Sequence, residues 1–266
     1  MDSIVIAAHG SRDRTCTEAA ETHAARLSEI LGTKVRHAYK GHDEPTIPSV
    51  LSEIAAEEPD RIVVLPLFFA PGMFPERIIP SKFGLPQGTL SGTIPLGGRD
   101  VPIVIAGVFG THPGMRRVME KVLAESGADP ADTSVLLIGH GSPDGFNRST
   151  LDLNAGYVAD AGYRVHRCFN EFERPDIAEG LAEAEADGCG TILAIPMFVS
   201  SSHHSEVEIP EGLGLAPGTR EGPAEVCGRT VHIVYLREIG LDPGIADILL
   251  ETYREAARRH RTDGGR

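Results

Sequence analysis

Apolar residues along this chain follow two alternating patterns. Short, almost continuously apolar runs rich in Val, Ile and Leu are typical of strands buried on both faces of a sheet. Longer segments with apolar residues every three or four positions are typical of helices with one buried face. The predicted strands are residues 3–8, 34–39, 61–69, 102–108, 134–139, 163–169, 191–199 and 230–236. The predicted helices are 17–31, 46–57, 149–161 and 176–186, with one more at the end of each half.

This alternation predicts an α/β fold. Strands separated by helices favour right-handed β-α-β crossovers and a mainly parallel sheet with helices on both faces. We therefore expect two tandem three-layer α/β sandwiches, each with a four-stranded, mainly parallel sheet.

The second half of the chain repeats the first. The segment I-V-I-A-A-H-G-S-R-D at 4–13 returns as V-L-L-I-G-H-G-S-P-D at 135–144, which places His140 131 residues after His9. From the next motif onward the offset is 130 residues. A repeat with one indel predicts two copies of one unit. The predicted domains are 1–127 and 134–256, joined by 128–133 and followed by a polar tail.

The composition limits the possible partners. With 41% hydrophobic and 24% charged residues, the chain is not of a disordered type. A net charge of −13 argues against nucleic acid and anionic membranes as partners. Apolar runs shorter than the ~20 residues of a membrane span, and a start without a signal pattern, predict a cytoplasmic protein. The four cysteines form no C-x-x-C pair, which argues against a zinc ribbon, an iron–sulfur site or a disulfide framework.

Candidate chemistry lies where the strands of the second copy end. His140 follows the first strand, Glu171 follows the second, and the run 200–204 follows the third. Ligands of open parallel sheets bind beyond the carboxyl ends of the strands, so these residues are expected to meet. Imidazoles with a carboxylate suit Co²⁺, Ni²⁺, Fe²⁺ or Zn²⁺, and they accept protons near neutral pH.

Simpler explanations exist for each feature alone. The segment 140–142 fits a strand-to-helix turn with Ser142 as N-cap, His203 and His204 fit a solvated pair, and Glu171 fits a surface charge. Their shared position favours a site. The sequence has no G-x-S-x-G elbow, no phosphate-binding P-loop and no dinucleotide-binding glycine motif after the first strand.

Three motifs of the second copy resemble the class II chelatases of the CbiX/SirB type. They are G-H-G-S at 139–142, C-F-N-E-F-E-R-P-D-I at 168–177 and P-M-F-V-S-S-S-H-H-S-E-V-E-I-P at 196–210. The resemblance covers nearly the whole chain and implies a chelatase-like fold. It also implies ATP-independent insertion of a divalent metal, preferably Co²⁺, into sirohydrochlorin in cobalamin or related tetrapyrrole biosynthesis. No cofactor beyond the metal substrate is implied, and the fused form is expected to be a monomer with an internal pseudo-dimer.

The resemblance also implies roles for individual residues. His140 and His204 correspond to metal ligands, and Glu171 to a further catalytic acid–base group. Gly141 and Ser142 are expected to open a helix whose N–H groups bind an anion such as a substrate carboxylate. The implied substrate contacts are Gly141, Ser142, Val199, Ser200, Ser201, Ser202 and His203, and basic candidates are Arg12, Lys40 and Arg148.

The first copy lacks part of this set. Phe74 stands where His204 does, and Gly41 stands where Glu171 does. A phenyl ring cannot bind a metal ion, so we expect the second copy to carry out catalysis and the first copy to form a wall of the cleft. This departs from the resemblance, because in familiar fused members the complete site is expected in the first copy. Secondary candidates in the first copy are His9, His42 and His112.

Other functions remain open at this point. The same site could serve a sirohydrochlorin ferrochelatase or a nickel chelatase. The affinity of an N/O site for divalent metals follows the same order in most proteins, so the sequence does not identify the metal. A non-catalytic metal or tetrapyrrole carrier, and a structural protein with a vestigial site, are the alternatives of another class.

Overall fold

A computed structural model of the chain describes residues 1–10, 17–41, 43–216 and 218–263, with side chains as far as residue 258. The strands of the first half are β1 (Asp2–Ala8), β2 (Val35–Tyr39), β3 (Arg61–Pro66), β4 (Ser91–Leu96) and β5 (Arg99–Ile105). The helices of this half are α1 (Glu18–Leu31), α2 (Ile47–Ala55), α3 (Ile79–Lys82) and α4 (Met115–Ser126).

The second half repeats these elements. Its strands are β6 (Thr133–Gly139), β7 (Arg164–Phe169), β8 (Thr191–Pro196), β9 (Glu221–Val226) and β10 (Arg229–Tyr235). Its helices are α5 (Phe146–Asp160), α6 (Ile177–Glu185), α7 (Ile209–Gly212) and α8 (Gly244–Asp263). A π-helical turn precedes the short helix of each half, at Phe74–Ile78 and His204–Glu208.

The α/β fold predicted from the sequence is confirmed. The strand order is β2-β1-β3-β5-β4 in one sheet and β7-β6-β8-β10-β9 in the other. Neighbouring strands are parallel except for the last pair of each sheet. Every residue of β6 is buried, as expected for a central strand of a sheet covered by helices. The carboxyl ends of β7, β6 and β8 therefore lie side by side.

The expected number of strands was wrong. Each sheet has five strands rather than four, because β4 and β9 add antiparallel edge strands. Pro95 and Pro223 interrupt these segments, and most of their positions are exposed, so they lack the apolar run of a central strand. Proline is tolerated at a sheet edge because an edge strand has N–H groups that need no ladder partner.

Helix boundaries also differ from expectation near the candidate site. Helix α5 begins at Phe146, and Gly145 before it has φ 74°. Gly141 and Ser142 therefore do not open a helix, and that prediction was wrong. Among the described residues, no helix combines the length and the apolar character needed to cross a bilayer.

The chain forms two compact units, and each contains the last helix of the other repeat. One unit consists of residues 1–112 and 243–266, and the other of 113–242. In the first unit, α8 packs on α1 and β3, and the Tyr253 hydroxyl donates to Asp2 at 3.1 Å. In the second unit, α4 packs on α5. The domain boundaries 1–127 and 134–256 stay a prediction about the repeated sequence, since the compact units group the helices differently.

Candidate metal centre

Three side chains meet at the carboxyl edge of the second sheet. His140 follows β6 directly, Glu171 lies two residues after β7, and His204 begins the π-helical turn after β8. Each offers one ligand atom, and these atoms all lie within 4.8 Å of one another. In the part of the chain that the structure describes, this is the one group of three or more His, Cys, Asp or Glu side chains arranged to hold a metal ion.

His140 is oriented by its own backbone. Its Nδ1 lies 3.2 Å from the carbonyl oxygen of Gly141, a contact that an Nδ1–H donor satisfies. The lone pair of the neutral ring is then on Nε2, which lies 4.0 Å from Oε2 of Glu171. Nε2 is the atom available to a metal ion or a proton.

The backbone holds Glu171 beside His140. The N–H of Glu171 donates to the His140 carbonyl at 2.9 Å, which continues the pairing of β7 with β6 past their ends. Gly141 has φ 89°, and a Cβ there would lie 1.9 Å from the Glu171 carbonyl oxygen. A residue with a side chain at 141 would push Glu171 away from His140.

Glu208 and Asn170 orient His204. His204 Nδ1 lies 2.6 Å from Oε2 of Glu208, four residues later on the π-helical turn. The Asn170 amide donates to the same carboxylate oxygen at 3.3 Å. The hydrogen bond from His204, followed by that from Asn170, lowers the pKa of Glu208. In a neutral ring, an Nδ1–H donated to the carboxylate places the lone pair on Nε2, an arrangement that protein metal sites use widely.

Two phenyl rings flank His140. Phe198 is buried and lies 6.0 Å away between ring centroids, while Phe172 stacks at 5.9 Å with 23° between the planes. Phe172 is 66% exposed and has φ 62°, a left-handed conformation that is uncommon for an aromatic residue. Such backbone strain is typical of functional positions. The imidazole therefore has an aromatic neighbour that faces solvent.

Arg220 ties the π-helical turn to the end of β10. Its guanidinium pairs with Glu206 on the turn and lies 3.6 Å from Oε1 of Glu238, a fully buried carboxylate. It also lies over the ring of Tyr235, whose hydroxyl donates to the Ser205 carbonyl at 2.9 Å. These contacts fix the segment that carries His204.

The other predicted substrate contacts lie around the loop after β8. Ser202 and Ser205 exchange hydrogen bonds that start the π-helical turn, and the His203 ring is exposed with Nε2 3.8 Å from Oε1 of Glu208. Val199 is partly buried, Ser200 is buried and Ser201 is partly buried. Their role in substrate binding stays a prediction.

The N–H groups of Gly141 and Ser142 are already engaged. That of Gly141 donates to Asn147 Oδ1 at 3.2 Å, and that of Ser142 donates to Glu173 Oε1 at 2.8 Å. Arg148 donates to the same Glu173 carboxylate at 3.0 Å. This segment holds the loop after β6 in place, and substrate binding by Gly141 and Ser142 stays a prediction.

The first unit brings together a different set. The rings of His9 and Phe74 meet edge-on with 4.6 Å between centroids, as those of His140 and His204 do at 5.4 Å. His112 lies elsewhere in this unit, with its ring nitrogens 3.9 and 3.7 Å from Glu251 and Glu255 of α8. His42 and Arg12 lie outside the described residues.

Sequence reasoning missed Glu208, Asn170, Phe172, Arg220 and Glu238. A signal existed for Glu208, since residues four apart on a helical turn are neighbours and a carboxylate there faces His204. No local pattern pointed to Arg220 or Glu238, because they meet through the pairing of β9 with β10.

The arrangement can bind a divalent ion and take up protons. Two neutral imidazoles and a carboxylate are ligands of borderline metals. The side chains of His140, Glu171 and His204 are 41%, 40% and 32% exposed, so a large molecule can reach them.

Both repeats match the same protein family. The family model described as CbiX matches residues 3–126 and again 134–256. A probable sirohydrochlorin cobaltochelatase of Halobacterium salinarum is 29% identical, over 96% of this chain and 92% of that protein. A sirohydrochlorin cobaltochelatase of Methanococcoides burtonii is 32% identical over 46% of this chain and 94% of its own length. The chain is thus similar to one protein over nearly its whole length and to a shorter one over about half of it.

Solved structures show the same fold. SirB from Bacillus subtilis with Fe³⁺ aligns over 98% of this chain and 97% of that one, with a TM-score of 0.74 and 18% identity. CbiX described as the terminal enzyme for biosynthesis of siroheme in denitrifying bacteria aligns over 96% and 99%, with a TM-score of 0.66 and 20% identity.

Proposed function

The chain belongs to the CbiX family, and on this premise we propose that it inserts Co²⁺ into sirohydrochlorin without ATP. The observation that carries the proposal is the convergence of His140, Glu171 and His204 within 4.8 Å. Relatives named as sirohydrochlorin cobaltochelatases support the choice of substrate and metal.

The two imidazoles hold the metal substrate. The Nδ1 atom of each ring has an oxygen neighbour, so Nε2 of His140 and Nε2 of His204 are the nitrogens proposed to bind the ion. Neutral ligands leave the ion its full double charge. The dianionic form of the macrocycle therefore attracts the ion and can bind it in place of the imidazoles. Glu208 supports His204 as a ligand by accepting its Nδ1–H.

Glu171 and the imidazoles receive the protons. Insertion exchanges Co²⁺ for two pyrrole N–H protons, so two protons must pass from the ring to bases or to water. Oε2 of Glu171 lies 4.0 Å from Nε2 of His140, close enough to take up a proton released beside the bound ion. As the ion leaves His140 and His204, their Nε2 lone pairs become available for protons.

Further parts of the proposal concern the remaining contacts and the assembly. Sirohydrochlorin is a polycarboxylate, and Ser200, Ser201, Ser202 and His203 are proposed to donate to it. Phe172 is proposed to contact the flat ring, since it stacks on His140 and faces solvent. We also propose that the protein acts as a monomer and needs no cofactor beyond its metal substrate.

Metallation in solution tests the proposal. Purified protein, metal-free sirohydrochlorin and Co²⁺ are mixed without ATP, and the absorbance of the metallated product is followed against a reaction without protein. We expect many product molecules per protein molecule. A spectral change that stops at one equivalent per protein would instead identify a carrier, and no acceleration would refute the catalytic function. Parallel reactions with Fe²⁺ and Ni²⁺ determine the preferred metal.

A further inference from the structure

The first unit carries a cation at the place that corresponds to the metal centre. Lys40 stands at the position of Asn170, and its Nζ lies 4.1 Å from the centroid of the Phe74 ring. Phe74 in turn occupies the position of His204. The side chain that orients the ligand in one unit is therefore replaced by an ammonium group over an aromatic face in the other.

The charges of the two places are opposite. The first unit has Gly41 and Ile78 where the second has Glu171 and Glu208, so both carboxylates are missing. A second ammonium group, Lys82, ends α3 at a position that is glycine in the second unit. The corresponding place in the first unit therefore lacks two carboxylates of the metal centre and carries an ammonium group instead.

In the part of the chain that the structure describes, no ion pair joins Lys40 or Lys82 to a carboxylate. Burial, and then the charge of Lys82, lower the pKa of Lys40. A bound anion would offset both effects, because it would supply the missing counter-charge.

The aromatic surface beside Lys40 indicates what carries the anion. Phe74 is 37% exposed, and it lies parallel to Phe68 with 6.4 Å between centroids. An exposed ring next to an ammonium group fits a carboxylate attached to a flat conjugated molecule better than a free inorganic anion.

We propose that Lys40, Phe74 and Lys82, here called the Lys40 site, bind a carboxylate of the tetrapyrrole substrate and hold no metal ion. This inference rests on the proposed function. It assigns a substrate-binding role to the repeat that has lost its metal ligands, and it commits to a ring-borne carboxylate as the ligand group.

Binding of metal-free sirohydrochlorin tests the Lys40 site. The Kd is measured by fluorescence titration of the full chain, without metal, for the wild type, Lys40→Gln and Lys40→Glu. Lys34→Gln is the matched control, because it removes the same charge. Lys34 is exposed and comes directly before β2, whereas Lys40 comes directly after it. A second arm compares sodium phosphate with sodium chloride at equal ionic strength as competitors.

The expected Kd rises about fivefold to tenfold in Lys40→Gln and further in Lys40→Glu, and Lys34→Gln stays within about twofold of the wild type. An unchanged Kd in both Lys40 variants would overturn this inference. If the wild type still metallates sirohydrochlorin, the proposed function stands. Stronger competition by phosphate than by chloride would overturn the choice of a ring-borne carboxylate. A wild type that neither binds nor metallates sirohydrochlorin would overturn both proposals.

Discussion

Nδ1 of His204 lies 2.6 Å from Oε2 of Glu208 on the same π-helical turn. The π-helical geometry places a hydrogen bond from the Ile209 N–H to the His204 carbonyl, so the turn is one residue wider than an α-helical turn. The His204 ring is therefore held by a carboxylate of its own segment, with 5.4 Å between its centroid and that of His140.

Replacing Glu208 with Gln should weaken metal binding. The variant keeps the shape of the side chain but loses the charge that accepts Nδ1–H, so metal affinity and metallation rate should fall about 10- to 100-fold. Glu211→Gln is the control, since Glu211 is an exposed carboxylate on the following helix. Equal rates in the two variants, measured by absorbance at several Co²⁺ concentrations, would contradict the orienting role.

Removing the imidazole of His204 should nearly abolish metallation. His204→Ala takes away one of two nitrogen ligands, and we expect a loss of about 100-fold or more in the initial rate. His232→Ala is the matched control, because this imidazole lies on the exposed side of β10 and pairs with Glu221 at 3.0 Å. Similar losses in both variants would show that the proposed centre is not the place of the reaction.

The Arg220–Glu238 pair should show strong coupling in stability. Arg220→Leu leaves a buried carboxylate without its cation and should cost about 3 kcal/mol in the free energy of unfolding. The double variant Arg220→Leu/Glu238→Val should recover most of this loss, because the first unit folds with Leu90 and Val108 at these positions. Urea unfolding of the single and double variants measures the coupling, and additive effects would contradict it.

Acid should weaken the contribution of Asp187. Burial raises the pKa of this carboxyl group, but hydrogen bonds from Ser134 and His166 outweigh that effect and leave the pKa below its ordinary value of 3.8. The contribution is therefore fully present above pH 3.8 and is lost as the pH falls through the lowered pKa.

Asp187→Asn makes this dependence measurable. The variant should lose about 1 to 2 kcal/mol at neutral pH, and the difference from the wild type should shrink below pH 3.8. Urea unfolding from pH 7 downward follows both proteins. A difference that grows as the pH falls would have the wrong sign for a lowered pKa.

The parts of this protein that the sequence predicted are those with a local signal. The buried runs of β1, β3, β6 and β8 predicted a parallel sheet, and the rule that ligands bind beyond strand ends predicted that His140, Glu171 and His204 lie together. Strand β9 was missed because an edge strand needs no apolar run on both faces.

The remaining features depend on distant contacts. Glu238 and Arg220 are brought together by strand pairing, and neither is distinguishable in the sequence from an ordinary surface charge. The strained backbone of Phe172 has no sequence signature either, because aromatic residues rarely adopt that conformation.

The assignment of α4 and α8 to units built on the other repeat has a consequence for how the two units are completed. Each compact unit takes its last helix from the other repeat, so cutting the chain between the repeats would leave each unit without a helix that it contains now. Because both helices belong to one polypeptide, neither unit depends on the concentration of a separate subunit.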